Sequence, residues 1–393
     1  MGYSRQPFLG RFRTIGLWTL SGSAVFIAVF GVYVFSNNWN DESTSVDDSS
    51  RKPAEISSYA KVVETIPEDE AESTRKIKNF IEAELVAKYP AGVRPAHRDV
   101  HLKAHGCIHA TFRVNNERLP PDLRVGVFAQ NKEFPAWIRF SNGASSIGPD
   151  RNPGPRGMAI KLMGVAGAKI LPNERTAQTQ DFLMVNGADF FIENPSNYLK
   201  MITGSSAGFF ATHLHDLERI TAIVTKIVAN PLSIRYFSQT PYLLGPTAIK
   251  FSAVPCSKAG MKKVDRSQPD FLRLAMAANL AEGGACFNFM VQLQSDPENM
   301  PIEDSTVHWE EKRSPFIPVA QLQIPAQKFD SPEQMEFCEN LSFTPWHSLP
   351  EHRPLGGINR IRKVVYDAIS KRRHELNEVV RAEPTESSPR TEN

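Results

Sequence analysis

Hydrophobic and polar positions fall into three successive regimes along the 393-residue chain. The first is an apolar run without a charged residue at 15–35, from Ile15 to Phe35. About 20 apolar residues cross a bilayer as a helix, so the run predicts a transmembrane anchor. Arg5, Arg11 and Arg13 precede it, whereas Asp41, Glu42, Asp47 and Asp48 follow. Cytoplasmic flanks carry the excess of Lys and Arg, which puts 1–14 in the cytoplasm as a short tail. Everything beyond the anchor is then expected on the non-cytoplasmic side, periplasmic or extracellular. A cleaved signal peptide needs a shorter apolar region ending in small residues. Here Val-Tyr-Val-Phe-Ser-Asn-Asn-Trp follows, so an uncleaved single-pass anchor is expected. Residues 36–55, rich in Ser, Asn and Asp, read as a flexible linker.

The second regime is helical. An amphipathic helix at 70–89 carries Ile77, Phe80, Ile81, Leu85 and Val86 on one face, and Pro90 ends it. Beyond it the period shortens to two. Strands are expected at 108–114, 136–141, 159–162 and 181–185, separated by Gly- and Pro-rich turns such as 148–155. Helical spacing returns at 195–235 through Leu217, Ile220, Ile223, Val224 and Ile227. Three more strands follow at 247–254, 287–293 and 318–324, then a last helix at 358–378. Strands at this spacing predict an α+β fold, a closed antiparallel barrel with flanking helices. The folded domain is expected over 56–380, and 381–393 as a polar, disordered tail. No internal repeat is visible.

Composition changes this picture little. The net charge of +2 argues against nucleic acid as a partner. Cys107, Cys256, Cys286 and Cys338 contain no CxxC spacing, which excludes a zinc knuckle or a thioredoxin motif. In an oxidising compartment some could pair, and spacing does not choose among them. Buried free thiols are the simpler expectation.

Two clusters carry candidate chemistry. His97, His101, His105 and His109 recur every four residues, which on a helix makes a metal-binding stripe. Gly106 in mid-helix, at about 1 kcal/mol, and the alternation of Ile108, Ala110, Phe112 and Val114 favour a strand. Histidines four apart on a strand are roughly 13 Å apart and share no zinc, so at most one does chemistry. The second cluster is on the last helix. Arg362, Tyr366 and Arg373 fall within about 40° of one another around its axis. A guanidinium one turn from a phenol favours the phenolate, a hard, electron-rich axial ligand for ferric iron.

Six motifs occur in one order over 94–373: Arg98-x-x-His101, the strand from Gly106 to Val114, Arg139-Phe140-Ser141, Arg156-Gly157-Met158-Ala159-Ile160-Lys161, Asn186-Gly187-Ala188-Asp189-Phe190-Phe191 and Arg362-x-x-x-Tyr366. Together they resemble the haem catalase superfamily, in which tyrosine is the known axial ligand of the iron. In detail, His101-x-Lys103-x-His105-Gly106-Cys107 and Phe343-Thr344-Pro345-Trp346-His347 are similar to the small catalase-related haem proteins. The resemblance implies a catalase-type β-barrel and haem b (iron protoporphyrin IX) as cofactor. It implies Tyr366 as the proximal iron ligand, with Arg362 holding it ionised, and His101 as the distal acid–base. Ser141 is then the orienter of that imidazole and Asn186 the amide that positions peroxide. Arg98, Arg139 and Arg373 match arginines that pair with haem propionates, as bidentate carboxylate chemistry requires. Val100, Phe190 and Phe191 line the pocket. Lys103 belongs to the pattern without an evident role, and His97, His105 and His109 are expected as solvated or strand residues.

The activity so implied is decomposition of hydrogen peroxide through a ferryl intermediate, as defence against oxidative stress. Proton transfer by His101 would contribute about 10²–10⁴-fold. The alternatives are a peroxidase drawing on an electron donor, an enzyme converting fatty-acid hydroperoxides supplied by the bilayer, and a haem-binding sensor. The hydroperoxide branch resembles catalase but has threonine just before the distal histidine; Val100 stands there and favours hydrogen peroxide. The connection after the barrel reads as short. No flavodoxin-like domain is expected after Arg373 and no NADPH site. Assembly as a homo-oligomer is compatible with all of these.

Overall fold

The computed structural model describes residues 61–258, 260–385 and 388. The expected tail at 1–14, anchor at 15–35 and linker at 36–55 lie outside the described residues. Among the described residues no helix is long and apolar enough to cross a membrane.

The alternating segments become strands. β1 (Ala104–Val114), β2 (Glu133–Asn142), β3 (Arg156–Met163) and β4 (Thr179–Val185) form an antiparallel meander. Two short strands, β5 (Tyr236–Phe237) and β6 (Tyr242–Leu244), precede β7 (Thr247–Pro255). β7 then pairs with β8 (Ala285–Leu293), and β8 with β9 (Ile317–Ile324). β9 joins β1, and β5 pairs with both β4 and β7, so the barrel closes. Eight of the nine strands make the closed barrel; β6 lies along the remaining edge of β7. β5 was not expected, because two residues are too short to show a period.

Side-chain parity decides what each strand faces. Ile108, Ala110, Phe112 and Val114 of β1 point into the barrel, where Phe289 lies 5.2, 5.0 and 5.4 Å from Phe112, Phe182 and Phe251. Burying each such ring stabilises the fold by about 1.5–3 kcal/mol. Cys107 faces outward, with Trp137, Met163, Cys338 and Leu341 in a separate apolar cluster.

Seven α-helices flank the barrel among the described residues. α1 (Glu70–Lys88) is the amphipathic helix expected from its stripe. The stretch at 195–235 resolves into α2 (Pro195–Thr203), α3 (Ser206–Thr212) and α4 (Leu214–Val224), broken at Gly204 and His213. α5 (Phe271–Glu282) and α6 (Pro332–Asn340) fall where no element was expected. α6 buries only Gln334 and Cys338 and so lacks an apolar stripe. α7 (Gly357–Asn377) is the expected last helix; Ile358, Ile361 and Ile369 pack on Ile77, Ile81 and Leu85 of α1.

The start of α7 is fixed by charge and by close approach. Arg360 is gripped by Glu64, Glu70 and Glu303 at 2.7, 2.6 and 2.7 Å. Gly356 has φ +83°, and a Cβ there would meet the Ile302 carbonyl oxygen, so only glycine serves.

Two expectations are corrected. The cysteines are not free thiols: Cys107 pairs with Cys338 and Cys256 with Cys286, each with Cα atoms 5.5 Å apart. The first pair joins β1 to α6 across 231 residues, a proximity that only tertiary structure creates. The tail expected to be disordered from 381 is docked at its start. Glu383 lies 2.7 Å from the fully buried Lys161 and 2.8 Å from Thr179 Oγ1, and Arg381 pairs with Glu174.

Candidate active site

The loop before β1 carries His101 in the left-handed region, at φ +59°. Such a conformation costs of order 1–3 kcal/mol for a side-chain-bearing residue. It is held on both sides: the His101 and Leu102 N–H groups donate to the Gly143 and Ala144 carbonyls at 3.4 Å, and Arg139 donates to the His101 carbonyl at 2.8 Å. His101 Nδ1 lies 3.0 Å from Ser141 Oγ on β2. Burial, then the charges of Arg139, Arg98 and Arg362, push the imidazole down to about 3, so it is neutral at pH 7. β2 and β3 pair Ser141 with Gly157. Gly157 has no Cβ, and that leaves the space the imidazole fills.

Asn186 follows β4. Its Oδ1 accepts the Arg156 N–H at 2.8 Å, while its buried Nδ2 has no hydrogen-bond partner. A buried amide left unsatisfied costs about 1–3 kcal/mol, and a ligand oxygen would satisfy it. Val100, beside His101, is 43% exposed. Phe190 and Phe191 are half-buried, with ring centres 4.9 Å apart.

On α7, Arg362 donates to the Tyr366 oxygen at 3.2 Å and stacks its guanidinium over that ring at 5.1 Å. Asn359 Oδ1 and the Tyr242 hydroxyl take its other donors at 3.1 and 3.4 Å. Burial works against the Arg362 charge, but the two phenol oxygens raise its pKa above the ordinary value. Arg362 thus offers a positive charge to an oxygen at the Tyr366 position. Its charge also contributes to the lowering of His101.

The three remaining arginines gather around one carboxylate, Glu339 of α6. Arg98 pairs with it at 3.1 Å, Arg373 at 3.8 Å, and His97 Nδ1 lies 3.3 Å away. Burial alone would raise Glu339, but Arg98, His97, Arg139 and Arg373 hold it at about 2. Burial first, then the neighbouring guanidiniums, pushes Arg139 well below its ordinary value and Arg373 down to about 9. Arg139 Nε is buried without a hydrogen-bond partner. Arg98 and Arg373 pair with the one carboxylate and Arg139 adds its charge nearby, so positive charge is in excess and a dicarboxylate ligand would balance it. Haem, with two propionates, fits this donor set.

Of the residues expected in the site, Arg98, Val100 and His101 lie on the loop before β1, Arg139 and Ser141 on β2, Asn186 just after β4, and Arg362, Tyr366 and Arg373 on α7, while Phe190 and Phe191 lie in the segment beyond Asn186, with Phe190 packed on the α1–α7 cluster. Of the remaining histidines, His105 and His109 are strand residues of β1, as expected, and His97 lies outside any strand. His105 is buried, with Nε2 3.0 Å from Asn142 Oδ1; His109 packs on Trp137 with ring centres 3.6 Å apart; and His97 faces Glu339. Glu339 was missed because its helix is short and polar. Gly157 lay inside a recognised motif but has no side chain to draw attention.

The chain is similar to a fungal catalase (TM-score 0.56, 17% identity), covering 72% of this chain and 60% of that one. It is similar to catalase A from Saccharomyces cerevisiae (0.56, 15%), covering 81% and 69%. A bacterial catalase matches at 0.57 and 15%, covering 86% and 69%. No protein-family model and no curated protein matches the sequence. The chain has the catalase fold, and it spans 60% of the length of the fungal catalase.

Proposed function

We propose that this chain is a haem b oxidoreductase that consumes peroxide, with hydrogen peroxide as its substrate. The observation that carries the reading is the neutral His101 imidazole, hinged on Ser141, beside the unsatisfied Asn186 amide. Arg98, Arg139 and Arg373 would hold the propionates, Val100, Phe190 and Phe191 the apolar faces of the ring, and the Tyr366 oxygen the iron. Haem, when bound, supplies the iron and the redox capacity for cleaving an O–O bond. Asn186 Nδ2 donates a hydrogen bond to one peroxide oxygen. With Nδ1 engaged by Ser141, His101 Nε2 would take a proton from one peroxide oxygen and return it to the other, so that with the redox capacity of the bound haem two peroxides yield two waters and one dioxygen. Arg362 keeps positive charge beside the Tyr366 oxygen throughout.

The setting belongs to the same proposal. Two disulfides and no free thiol suit an oxidising compartment, in keeping with an uncleaved anchor at 15–35 and a haem domain on the non-cytoplasmic side. The test is to load the full chain with hemin, record its spectrum beside Tyr366→Phe, then add hydrogen peroxide while following oxygen. A high-spin ferric spectrum altered by Tyr366→Phe, with oxygen release, is expected. Turnover only with an added electron donor indicates a peroxidase, and product formation only from a fatty-acid hydroperoxide indicates the lipid branch. Slow reaction at full haem occupancy indicates a sensor. Absence of a haem spectrum overturns the reading.

A further inference from the structure

Lys103 belongs to a recognised motif yet has no part in the proposed chemistry. Its ammonium is buried at the back of the distal loop, 2.6 Å from Asp150 Oδ1 and 2.6 Å from Asp270 Oδ1. The Gly148 and Pro269 carbonyls, at 3.0 and 2.9 Å, complete its acceptors. The Asp150 carboxylate has no exposed surface. Its Oδ1 also accepts Asn142 Nδ2 at 2.8 Å, and its Oδ2 accepts the Leu272 N–H of α5 at 3.0 Å.

Each distal residue is one or two covalent or hydrogen-bonded steps from this pair. His101 lies two residues before Lys103. Ser141 immediately precedes Asn142, whose own N–H donates to the Lys103 carbonyl at 2.9 Å. Asn186 is bound through both its backbone N–H and its Oδ1 to Arg156, at 3.0 and 2.8 Å. The Arg156 guanidinium in turn donates to the Asp150 carbonyl at 2.9 Å. His105 closes the ring on the Asn142 side. The turn at 148–155, which looks like a mere connection in sequence, supplies Asp150, on which the contacts of Lys103, Asn142 and Arg156 converge.

We propose that Lys103 and Asp150 are positioning residues: one buried ion pair sets the relative placement of His101, Ser141 and Asn186. The inference rests on the function proposed above, since it assigns the pair to the groups that handle peroxide. An ion pair with a merely structural role would affect stability and haem yield but not the rate per bound haem. Lys161 supplies the comparison. It is also buried, pairs with Asp181 at 2.7 Å and with Glu383 at 2.7 Å, and touches none of the three residues.

The experiment compares Lys103→Met and Lys161→Met in the full chain by two readouts. In the hemin-loaded protein, Lys103→Met is expected to lower kcat per bound haem by roughly 10–100-fold, as misplacement of about 1 Å does, with KM little changed. Lys161→Met is expected to leave kcat per haem near the parent value while lowering the melting temperature. In the haem-free protein, amide hydrogen exchange at His101 and Leu102 is expected to accelerate in Lys103→Met alone. Asp150→Asn keeps the shape of the carboxylate and serves where Lys103→Met does not fold. Equal behaviour of the Lys103 and Lys161 variants, in rate or in exchange, overturns the proposal. If the parent takes up no haem, the functional reading fails and exchange alone decides this one.

Discussion

The prediction most directly drawn from geometry concerns Gly157. A Cβ at this position lies 2.5 Å from His101 Nδ1, 2.6 Å from its Cε1 and 2.9 Å from Ser141 Oγ. Non-bonded carbon contacts settle at about 3.5 Å or more, so in Gly157→Ala the imidazole retreats by about 1 Å. The 3.0 Å contact between His101 and Ser141 then opens, removing a hydrogen bond with a net contribution of about 1 kcal/mol. Overpacking adds about 1–3 kcal/mol of destabilisation. A catalytic group displaced by about 1 Å loses roughly 10²-fold in rate, a barrier change of about 2.7 kcal/mol. Peroxide turnover per bound haem, with thermal unfolding of the haem-free chain beside it, measures both effects. Gly283→Ala is the control: its Cβ meets nothing within 4 Å and its backbone is extended, at φ −174°. Parent-like turnover per haem in a folded Gly157→Ala protein would falsify the placement of His101 as the proton carrier.

Three further outcomes are expected. Loop-closure entropy grows with the length of chain enclosed, so Cys338→Ser, which opens a separation of 231 residues, should destabilise more than Cys256→Ser, which opens 30. The difference is about 2 kcal/mol on that account, measured by urea unfolding without reductant; the opposite order refutes it. Haem dimethyl ester, which lacks free carboxylates, should bind at least roughly tenfold more weakly than haem per ester group. That follows from about 1.5–3 kcal/mol for each charged hydrogen bond at the arginine cluster, and quenching of tryptophan fluorescence reads it; equal affinities exclude the cluster as the carboxylate site. Acid should also weaken the haem-free fold. Burial lowers His101 and His105 to about 3 and His352 to about 4, from an ordinary value of 6.5. Below 6.5 the unfolded chain binds protons that the native chain refuses, so stability falls with pH, by up to about 1.4 kcal/mol per unit per histidine. Asp99, raised by burial to about 6, opposes this, as do Asp181 and Asp216, raised by burial, and His308, raised by its hydrogen bond to Asp189. A urea midpoint that does not drop between pH 7 and pH 5 refutes the account.

How much was legible in advance follows from the range of each interaction. β1, β2, β3 and β4 announced themselves by alternation, because which face a side chain takes depends only on its own strand. Their ends did not: β1 begins at Ala104, where both faces are buried and the period vanishes. Gly106, an objection to a helix, proved to be a point of contact, since a Cβ there would collide with the Phe329 ring. Of the residues expected in the site, Arg98, Val100, His101, Arg139, Ser141, Asn186, Phe190, Phe191, Arg362 and Tyr366 stood in recognisable motifs, and Arg373 on the helix face of Arg362 and Tyr366. Glu339 and Asp150 did not, although they organise the arginines and the distal loop. Their importance lies in charges contributed by other segments.

By itself the sequence determined what local geometry can carry: the inward face of each strand, the stripe of α1, and the shared face of Arg362 and Tyr366, one helical turn apart. Tertiary structure alone decided that Cys107 meets Cys338, that a two-residue β5 closes the barrel, that Glu339 faces Arg98, Arg139 and Arg373, and that Lys103 is buried against Asp150. A helix or strand sets its side-chain directions over a few residues. The partner of a buried charge or thiol depends on which distant segment the packed barrel brings against it.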